Sequence, residues 1–459
     1  MNTANTAPRA FGVGDPFALK WLGLIGFYWY FLTVFWGVDG HHAAGLLMFG
    51  YLAYWAVRYW DDWKKSGLVW LMVGSVLYII SRYSFAYITG EDDLSWSIDY
   101  DWAFLKISGA LSLILVPFFV AGNRVALLNR ALVLVFASLF FYLLKLFFIG
   151  DDPKSFDYLD TRRPGFGMGP ITFGVVSGFL MIVILALGSR LRGTFREMAM
   201  PIRVVSGGLV ALVFGLLLLG LLLTQSVGPW AATIVGSVAI FTGWFLACGR
   251  RTSPASCRWR YFRRSAVMLA LAAVLVGVSW DTIESRLVSK DLTPSSLMKA
   301  GPMGVPETAL GARFHLYRYG FSSVRENPLF GSLPGRVASE MEASTGYNFP
   351  HVHNLPLQIL ASFGIVGFSL LAAFIVLSLR EIHLASRAGV LPVDWVLFLY
   401  AAFVFVAVNS LFDLMLKNRE LITLITFLAA VPAALQVARL RMNRSSAGIE
   451  ETRANGGPQ

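Results

Sequence analysis

Two histidines and an asparagine stand directly before an apolar run, in the stretch PHVHNLPLQILASFGIVGF at residues 350–368. A neutral imidazole is a base near neutral pH, so His353 could accept a proton from an attacking group. Asn354 is also a common helix N-cap residue, with Pro356 in the first turn, and His351 could be a polar interface residue. A metal site needs a ligand spacing that His315, His351 and His353 do not have, so we expect no metal here.

An arginine pair lies about forty residues upstream, in GARFHLYRYGFSSVREN. The spacing predicts an amphipathic helix in which Arg313 emerges beside the Tyr317 ring, with Arg318 as a second cation. Guanidinium groups bind phosphate through charge-assisted hydrogen bonds, so these residues could hold an anionic substrate. The alternative is an interfacial helix whose arginines extend to the headgroups and whose apolar stripe lies on the membrane or packs on other helices. The stripe consists of Phe314, Tyr317, Phe321 and Val324.

Further cations occur within or beside apolar segments, where ionisable residues are costly and often functional. Arg82 and Lys145 lie toward the outer ends of their predicted spans, and Arg162 and Arg163 lie in an outer loop. Each could extend its charge to the headgroups, or together they could line an outward-facing basic cavity suited to phosphate or pyrophosphate.

The elements that must position these residues are membrane helices. The chain has 459 residues, of which 56% are hydrophobic and only 14% charged, and its mean hydropathy is +0.63. Apolar runs long enough to cross a bilayer predict an all-α polytopic transmembrane bundle of about twelve spans. They centre on residues 19–38, 43–59, 67–88, 103–121, 125–149, 171–189, 204–224, 229–248, 265–280, 356–379, 395–412 and 421–438.

The net charge of +11 does not indicate nucleic-acid binding, because Lys and Arg gather in alternate loops. This asymmetry predicts that both termini are cytoplasmic. We expect spans one to nine within residues 1–280, a large periplasmic loop with an amphipathic helix at 281–355, spans ten to twelve within 356–444, and a disordered cytoplasmic tail at 445–459.

Taken in order, these motifs resemble the O-antigen ligase and O-antigen polymerase superfamily of bacterial envelopes. Its members show an arginine, an aromatic residue four positions later, a Pro-Leu-hydrophobic-Gly turn, and then His-Asn, nine residues and Gly-x-x-Gly. The matching positions cover about residues 311–368 and are Arg313, Tyr317, Pro328-Leu329-Phe330-Gly331, His353-Asn354 and Gly364-Ile365-Val366-Gly367.

The resemblance implies a glycosyltransferase-C-like bundle in the bacterial inner membrane, with its active site facing the periplasm. The implied reaction inverts the anomeric centre without a metal or other cofactor. It transfers a glycan from undecaprenyl pyrophosphate to lipid A-core or to a second glycan. On this reading His353 is the base, Arg313 stabilises the leaving pyrophosphate, and Asn354 orients the imidazole or caps the helix. His351 and Arg318 are further candidates for substrate binding, and Gly364 and Gly367 permit close helix packing.

One position departs from the family pattern. Many members carry Ser-Arg-Gly at the outer end of a central span, whereas this chain has valine in Ser226-Val227-Gly228. Arg162, Arg163 or Lys145 could replace the missing arginine, or the donor could differ.

Three alternatives to a ligase remain at this stage. A polymerase and a protein-directed oligosaccharyltransferase share the donor chemistry. A lipid-linked glycan flippase belongs to a different class, and cations throughout mid-membrane depth would favour it.

Overall fold

The computed structural model describes residues 17–34, 38–90, 104–106, 109, 111–121, 124–148, 169–196, 200–249, 277, 309–345, 349, 351–414 and 419–455. Within these ranges all regular secondary structure is helical, as predicted, and no strand occurs. The helices are α1 (Phe17–Leu32), α2 (Val38–Arg58), α3 (Trp60–Trp63), α4 (Gly67–Thr89), α5 (Leu111–Ala121), α6 (Arg124–Phe148), α7 (Pro170–Arg196), α8 (Met200–Leu223), α9 (Val227–Gly249), α10 (Ala309–Glu326), α11 (Pro334–Thr345), α12 (Leu355–Arg387), α13 (Val393–Ser410) and α14 (Arg419–Asn455).

Six of these helices are long and apolar enough to cross a membrane, namely α4, α7, α9, α12, α13 and α14. Four shorter apolar stretches lie in α1, α5, α6 and α8. The predicted span at 265–280 lies outside the described residues apart from residue 277. A count of twelve spans and cytoplasmic termini therefore remain predictions.

Aromatic and aliphatic side chains fill the bundle interior. Phe27 of α1 packs against Phe118 and Phe119 of α5, and Phe31 packs against Phe427 of α14. Trp395 of α13 is fully buried. Many leucines and phenylalanines remain exposed on the outer helix faces. In hydrocarbon this exposure is no penalty, and association depends on close packing and on hydrogen bonds between helices.

Polar contacts at one end of the bundle fix α14 against α4 and α12. The Gln436 amide oxygen accepts hydrogen bonds from the Ser66 hydroxyl at 2.6 Å and the Leu68 N–H at 2.9 Å, where α4 begins. Arg439 donates to both carboxylate oxygens of the buried Glu381 at 2.7 and 2.8 Å. Such a bidentate pair sets the relative position of α12 and α14.

Helix α12 is broken at Gly364, whose backbone has φ +64° and ψ −168°. A turn formed by residues 328–333 enters the break and supplies the missing backbone hydrogen bonds. The N–H groups of Ser332 and Leu333 donate to the carbonyls of the first half-helix, and the N–H groups of the second half-helix donate to the carbonyls of Pro328 and Leu329. The four donor–acceptor pairs are Ser332–Ala361 (2.8 Å), Leu333–Ser362 (2.9 Å), Ile365–Pro328 (2.8 Å) and Val366–Leu329 (3.2 Å).

A side chain at Gly364 would overlap the Leu329 carbonyl group, and one at Gly331 would overlap the backbone of Ser362 and Phe363. Both glycines have positive φ. The sequence predicted that Gly364 permits close packing, which is confirmed, but the neighbour is the 328–333 turn and not another helix. At Gly367 the nearest atoms belong to Phe363 of the same helix and Tyr78 of α4.

Two helices precede α12. The first is α10, the predicted amphipathic helix. Phe314 and Phe321 of its apolar stripe are exposed, whereas Tyr317 and Val324 pack beside the buried Leu316. Helix α11 was not predicted, although Pro334 at its start and the buried Val337, Ala338 and Met341 follow a helical pattern.

Helix α14 continues to Asn455, and the predicted disorder of the cytoplasmic tail stays a prediction. Alanine, glutamate and arginine in this stretch are good helix formers and extend a helix that is already nucleated.

Candidate active site

A histidine and an aspartate meet where α12 begins and α13 ends. The His353 Nδ1 atom lies 3.1 Å from the Asp413 Oδ1 atom, and the two side chains are 18% and 17% exposed. An ionised carboxylate can only accept, so the proton resides on Nδ1 and the lone pair of Nε2 is left for another group. A histidine held in this way can act as a base.

The second histidine supports the first. The His353 backbone N–H donates to Nδ1 of the buried His351 at 3.1 Å, and the ring centroids are 4.2 Å apart. His353 has φ +53°, which is uncommon for a residue other than glycine. This hydrogen bond and an edge contact with the Phe349 ring hold the strained backbone in place. His351 therefore positions His353.

Asp413 remains ionised at neutral pH. Burial raises the pKa of the carboxyl group, but the hydrogen bond to His353 and the charge interactions with His351 and His353 lower it by more, so the pKa lies below its ordinary value of 3.8. The Leu414 N–H also donates to Asp413 Oδ1 at 2.8 Å. The carboxylate is thus fixed by its own backbone as well as by the imidazole.

Asn354 and Gln358 anchor the segment that carries the histidines. The Asn354 side chain accepts from the Leu357 N–H at 3.0 Å, which confirms the predicted N-cap. The buried Gln358 accepts from the Val352 N–H at 3.0 Å and donates to the Ser362 hydroxyl at 2.9 Å. Asn354 therefore caps the helix, and the side chain that contacts the His353 imidazole is Asp413.

Helix α10 covers this segment and brings Arg313 to the same side of the structure. The Tyr317 hydroxyl donates to the Leu411 carbonyl at 3.3 Å, and the Asn354 amide approaches the same oxygen at 3.5 Å. Gly320 permits the close contact, since a Cβ there would lie 2.9 Å from Leu357 Cδ2. Arg313 lies one turn before Tyr317 on the same edge of α10, partly exposed, and has no ion-pair partner among the described residues.

The other predicted substrate-binding residues are placed differently. Arg318 is exposed on α10. Arg82 contacts the 328–333 turn, away from the histidines, by donating from Nη2 to the Gly331 carbonyl at 2.9 Å. Arg162 and Arg163 lie outside the described residues, and Lys145 lies in the part of α6 whose side chains are not described.

The described residues also contain one group of potential metal ligands, which we call the polar cluster: His351, His353 and Asp413. Their ligand atoms lie within 4.8 Å of one another, and His315 is not part of the group. In the structure the two Nδ1 atoms already share hydrogen bonds with the His353 N–H and with Asp413. A metal bound through those atoms would replace the bonds that orient the base.

Sequence reasoning missed Asp413 and Gln358 as site residues. Asp413 follows an apolar helix, and a carboxylate at the end of a membrane helix is itself a signal of function. Its partner is 60 residues away in the sequence, so only the three-dimensional packing of α12 and α13 identifies the pair.

Long apolar helices around a polar cluster at the ends of α12 and α13 define a multi-pass membrane protein. The O-antigen ligase family matches residues 212–372. The resemblance found in the sequence is therefore confirmed over these residues. No curated protein matches the sequence.

The match includes His353 and the break in α12 but ends before Asp413. It also includes the departure at Ser226-Val227-Gly228. Val227 is the first residue of α9 and is 37% exposed, so an apolar side chain stands where many members have a cation.

Proposed function

We propose that this protein is an O-antigen ligase that transfers a glycan from undecaprenyl pyrophosphate to lipid A-core at the periplasmic face of the bacterial inner membrane. The observation that carries the proposal is the His353–Asp413 pair at the start of α12, with His353 inside the residues matched by the O-antigen ligase family. The alternating basic loops of the sequence favour an outward-facing position for this pair.

In the proposed reaction an acceptor hydroxyl attacks C1 of the sugar that is bonded to the pyrophosphate. Nε2 of His353 takes the hydroxyl proton as the new C1–O bond forms, and the bond between C1 and the phosphate oxygen breaks. Attack from the side opposite the leaving group inverts the anomeric centre. The electron pair of the broken bond leaves with undecaprenyl pyrophosphate.

Asp413 would stabilise the imidazolium that forms when His353 accepts the proton. A charge-assisted hydrogen bond of this kind holds the ring in the tautomer that the base needs. Arg313, on the edge of α10 that faces the same segment, would balance the charge that develops on the leaving pyrophosphate. All these roles use side chains, and no metal enters the proposed reaction.

A polymerase is the second candidate, because the same donor chemistry serves an acceptor that is itself carrier-linked. The match to a superfamily of ligases and related polymerases supports both. A protein-directed transferase would differ only in its acceptor. Cations at mid-membrane depth would favour a flippase, whereas Arg313 lies on α10, outside the long apolar helices.

The test is reconstitution of the full-length protein in vesicles with an undecaprenyl-pyrophosphate glycan, offering in separate reactions lipid A-core, a second donor molecule or a peptide. The ligase proposal expects product only with lipid A-core. His353→Ala should lower turnover about 10²- to 10⁴-fold, the range for loss of a general base. His383→Ala, at an exposed histidine near the other end of α12, is the matched control and should retain activity. Full activity of His353→Ala would overturn the mechanism, and product with a second donor alone would identify a polymerase.

A further inference from the structure

A polar cavity lies beside Glu326, the last residue of α10. Its volume is about 320 Å³, and its walls come from α4, from the end of α10 and from the 328–333 turn. The lining side chains include Arg82, Glu326, Asn327, Phe330 and Arg336. A cavity of this size holds a phosphate group together with the atoms that attach it to a larger headgroup.

Arg82 is the cation best placed to bind a ligand in this cavity. Its Nη2 atom donates to the Gly331 carbonyl at 2.9 Å, and its guanidinium group lies 5.8 Å from the centre of the Phe330 ring. Its Nε atom is buried and has no hydrogen-bond partner among the described residues. A buried guanidinium N–H without an acceptor is costly, and a bound anion would supply one.

The other charged side chains of the cavity do not supply an acceptor for Arg82 Nε. Arg336 is engaged with Glu340 at 2.6 Å. Glu326 lines the cavity, but it forms no ion pair with Arg82 within the part of the chain that the structure describes. Arg82 therefore has no ion-pair partner among the described residues, and it lies within a helix that is apolar enough to cross a membrane.

A separate apolar groove lies further along the same face of α4. Met72, Ser75 and Ile79 line the groove, and Arg82 and Ala86 line the cavity, so the two follow one helical stripe. The opposite wall of the groove is α12, with Phe363, Leu370 and Phe374. A cationic cavity and an apolar groove on one helix face match a lipid whose headgroup carries phosphate, because each part contacts the chemistry it favours.

This site is separate from the proposed catalytic site. Tyr317, beside the polar cluster, and Glu326, beside the cavity, are nine residues apart on α10, which is about 13 Å along the helix. Asn354 and Phe363 on α12 give the same spacing, about 13 Å. In the donor, the pyrophosphate is bonded directly to the sugar C1 that must reach His353. The spacing along the two helices therefore favours a ligand other than the donor pyrophosphate at Arg82.

We propose that the Arg82 cavity binds a phosphate group of the acceptor lipid, whose chains lie in the apolar groove between α4 and α12. That the bound lipid is the acceptor rests on the proposed transfer function. Binding of the lipid itself does not require turnover. Arg82 would then hold the acceptor by its phosphate while the acceptor hydroxyl and the donor meet at His353. The distance between the two sites would set how far the acceptor hydroxyl lies from the acceptor phosphate.

The test measures binding of three lipids to the full-length protein in nanodiscs: a phosphorylated glycolipid of the lipid A type, the same lipid without its phosphates, and undecaprenyl pyrophosphate. Wild-type protein should bind the phosphorylated glycolipid at least tenfold more tightly than its dephosphorylated form. Arg82→Gln should remove that preference and leave undecaprenyl pyrophosphate binding within twofold. Arg82→Lys, which keeps the charge, should retain most of it. Arg130→Gln, at an arginine of α6 that bonds Tyr28, is the matched control and should bind all three lipids as wild type does.

In the transfer assay, Arg82→Gln should raise the KM for the acceptor about tenfold with kcat and the donor KM nearly unchanged. The proposal is overturned if Arg82→Gln weakens binding of the donor instead, or if both forms of the glycolipid bind the wild-type protein alike. If Arg82→Gln fails to fold, equal binding of the two glycolipid forms by Arg82→Lys overturns it. Phosphate-dependent binding without any transfer would reject the ligase function and keep the lipid site.

Discussion

Replacement of Asp413 by asparagine separates the charge of the carboxylate from its shape. Asparagine keeps an oxygen that can accept from the Leu414 N–H, so the turn after α13 should persist. It cannot carry the negative charge that stabilises a protonated His353, and its amide group can donate to Nδ1 and so favour the wrong tautomer. The variant therefore tests whether the pair acts in the reaction or only holds the fold.

The size of the effect follows from the contact. The His353 and Asp413 atoms are 3.1 Å apart, and both side chains are mostly shielded from water. A hydrogen bond to a charged group in such a setting contributes about 1.5–3 kcal/mol. At about 1.36 kcal/mol for each tenfold change in rate, Asp413→Asn should lower kcat about 10- to 200-fold, with little change in either KM.

The assay is steady-state glycan transfer with both substrates varied, together with thermal unfolding of the purified variant. Asp394→Asn, in the first turn of α13, is the control and should keep the wild-type kcat. A folded Asp413→Asn variant with kcat within threefold of wild type would refute the role of the pair. So would a loss expressed entirely in the acceptor KM.

The remaining predictions concern the fold, the metal question and pH. Gly364→Ala should destabilise the protein by about 3 kcal/mol or more in chemical unfolding, because Cβ overlaps the Leu329 carbonyl group and only glycine adopts this backbone conformation readily. Gly74→Ala is the control: a Cβ there has open space, so this variant should be neutral or stabilising. Gln358→Leu leaves the Val352 N–H unpaired and should cost about 1–3 kcal/mol together with a lower kcat, which unfolding and transfer assays would measure. Added zinc should inhibit transfer by occupying the polar cluster, and a chelator should not; loss of activity with chelator and recovery with zinc would contradict a metal-free reaction. The lowered pKa of Asp413 contributes stability above about pH 4. That contribution is lost as pH falls through the folded-state value, so the stability gap between wild type and Asp413→Asn in chemical unfolding should narrow below about pH 4.

The sequence was most informative where one short segment contains the whole signal. Periodicity alone located α10, and an asparagine before proline and an apolar run correctly marked the N-cap of α12. These features depend on neighbours within one or two turns, which a sequence displays directly.

It was least informative where distant segments meet. Asp413 and His353 are joined only by the packing of α13 against the start of α12, and Arg82 could be assigned to an outward-facing cavity without any indication of which one. The break in α12 was hidden because its first and second halves together form one apolar run. An apolar run that contains a single glycine is equally consistent with a continuous helix and with a broken one.

The turn at residues 328–333 has a consequence for protein engineering. Backbone groups that lack hydrogen-bond partners are very costly in hydrocarbon, so α12 can keep its break only while this turn remains in it. Homologues could exchange the segment that precedes α12 in order to alter acceptor choice. Such an exchange would separate the turn from α12 if its boundary fell just before α12. Chimeras should therefore place that boundary upstream of residue 328 and transfer the turn, the histidines and α12 as one unit.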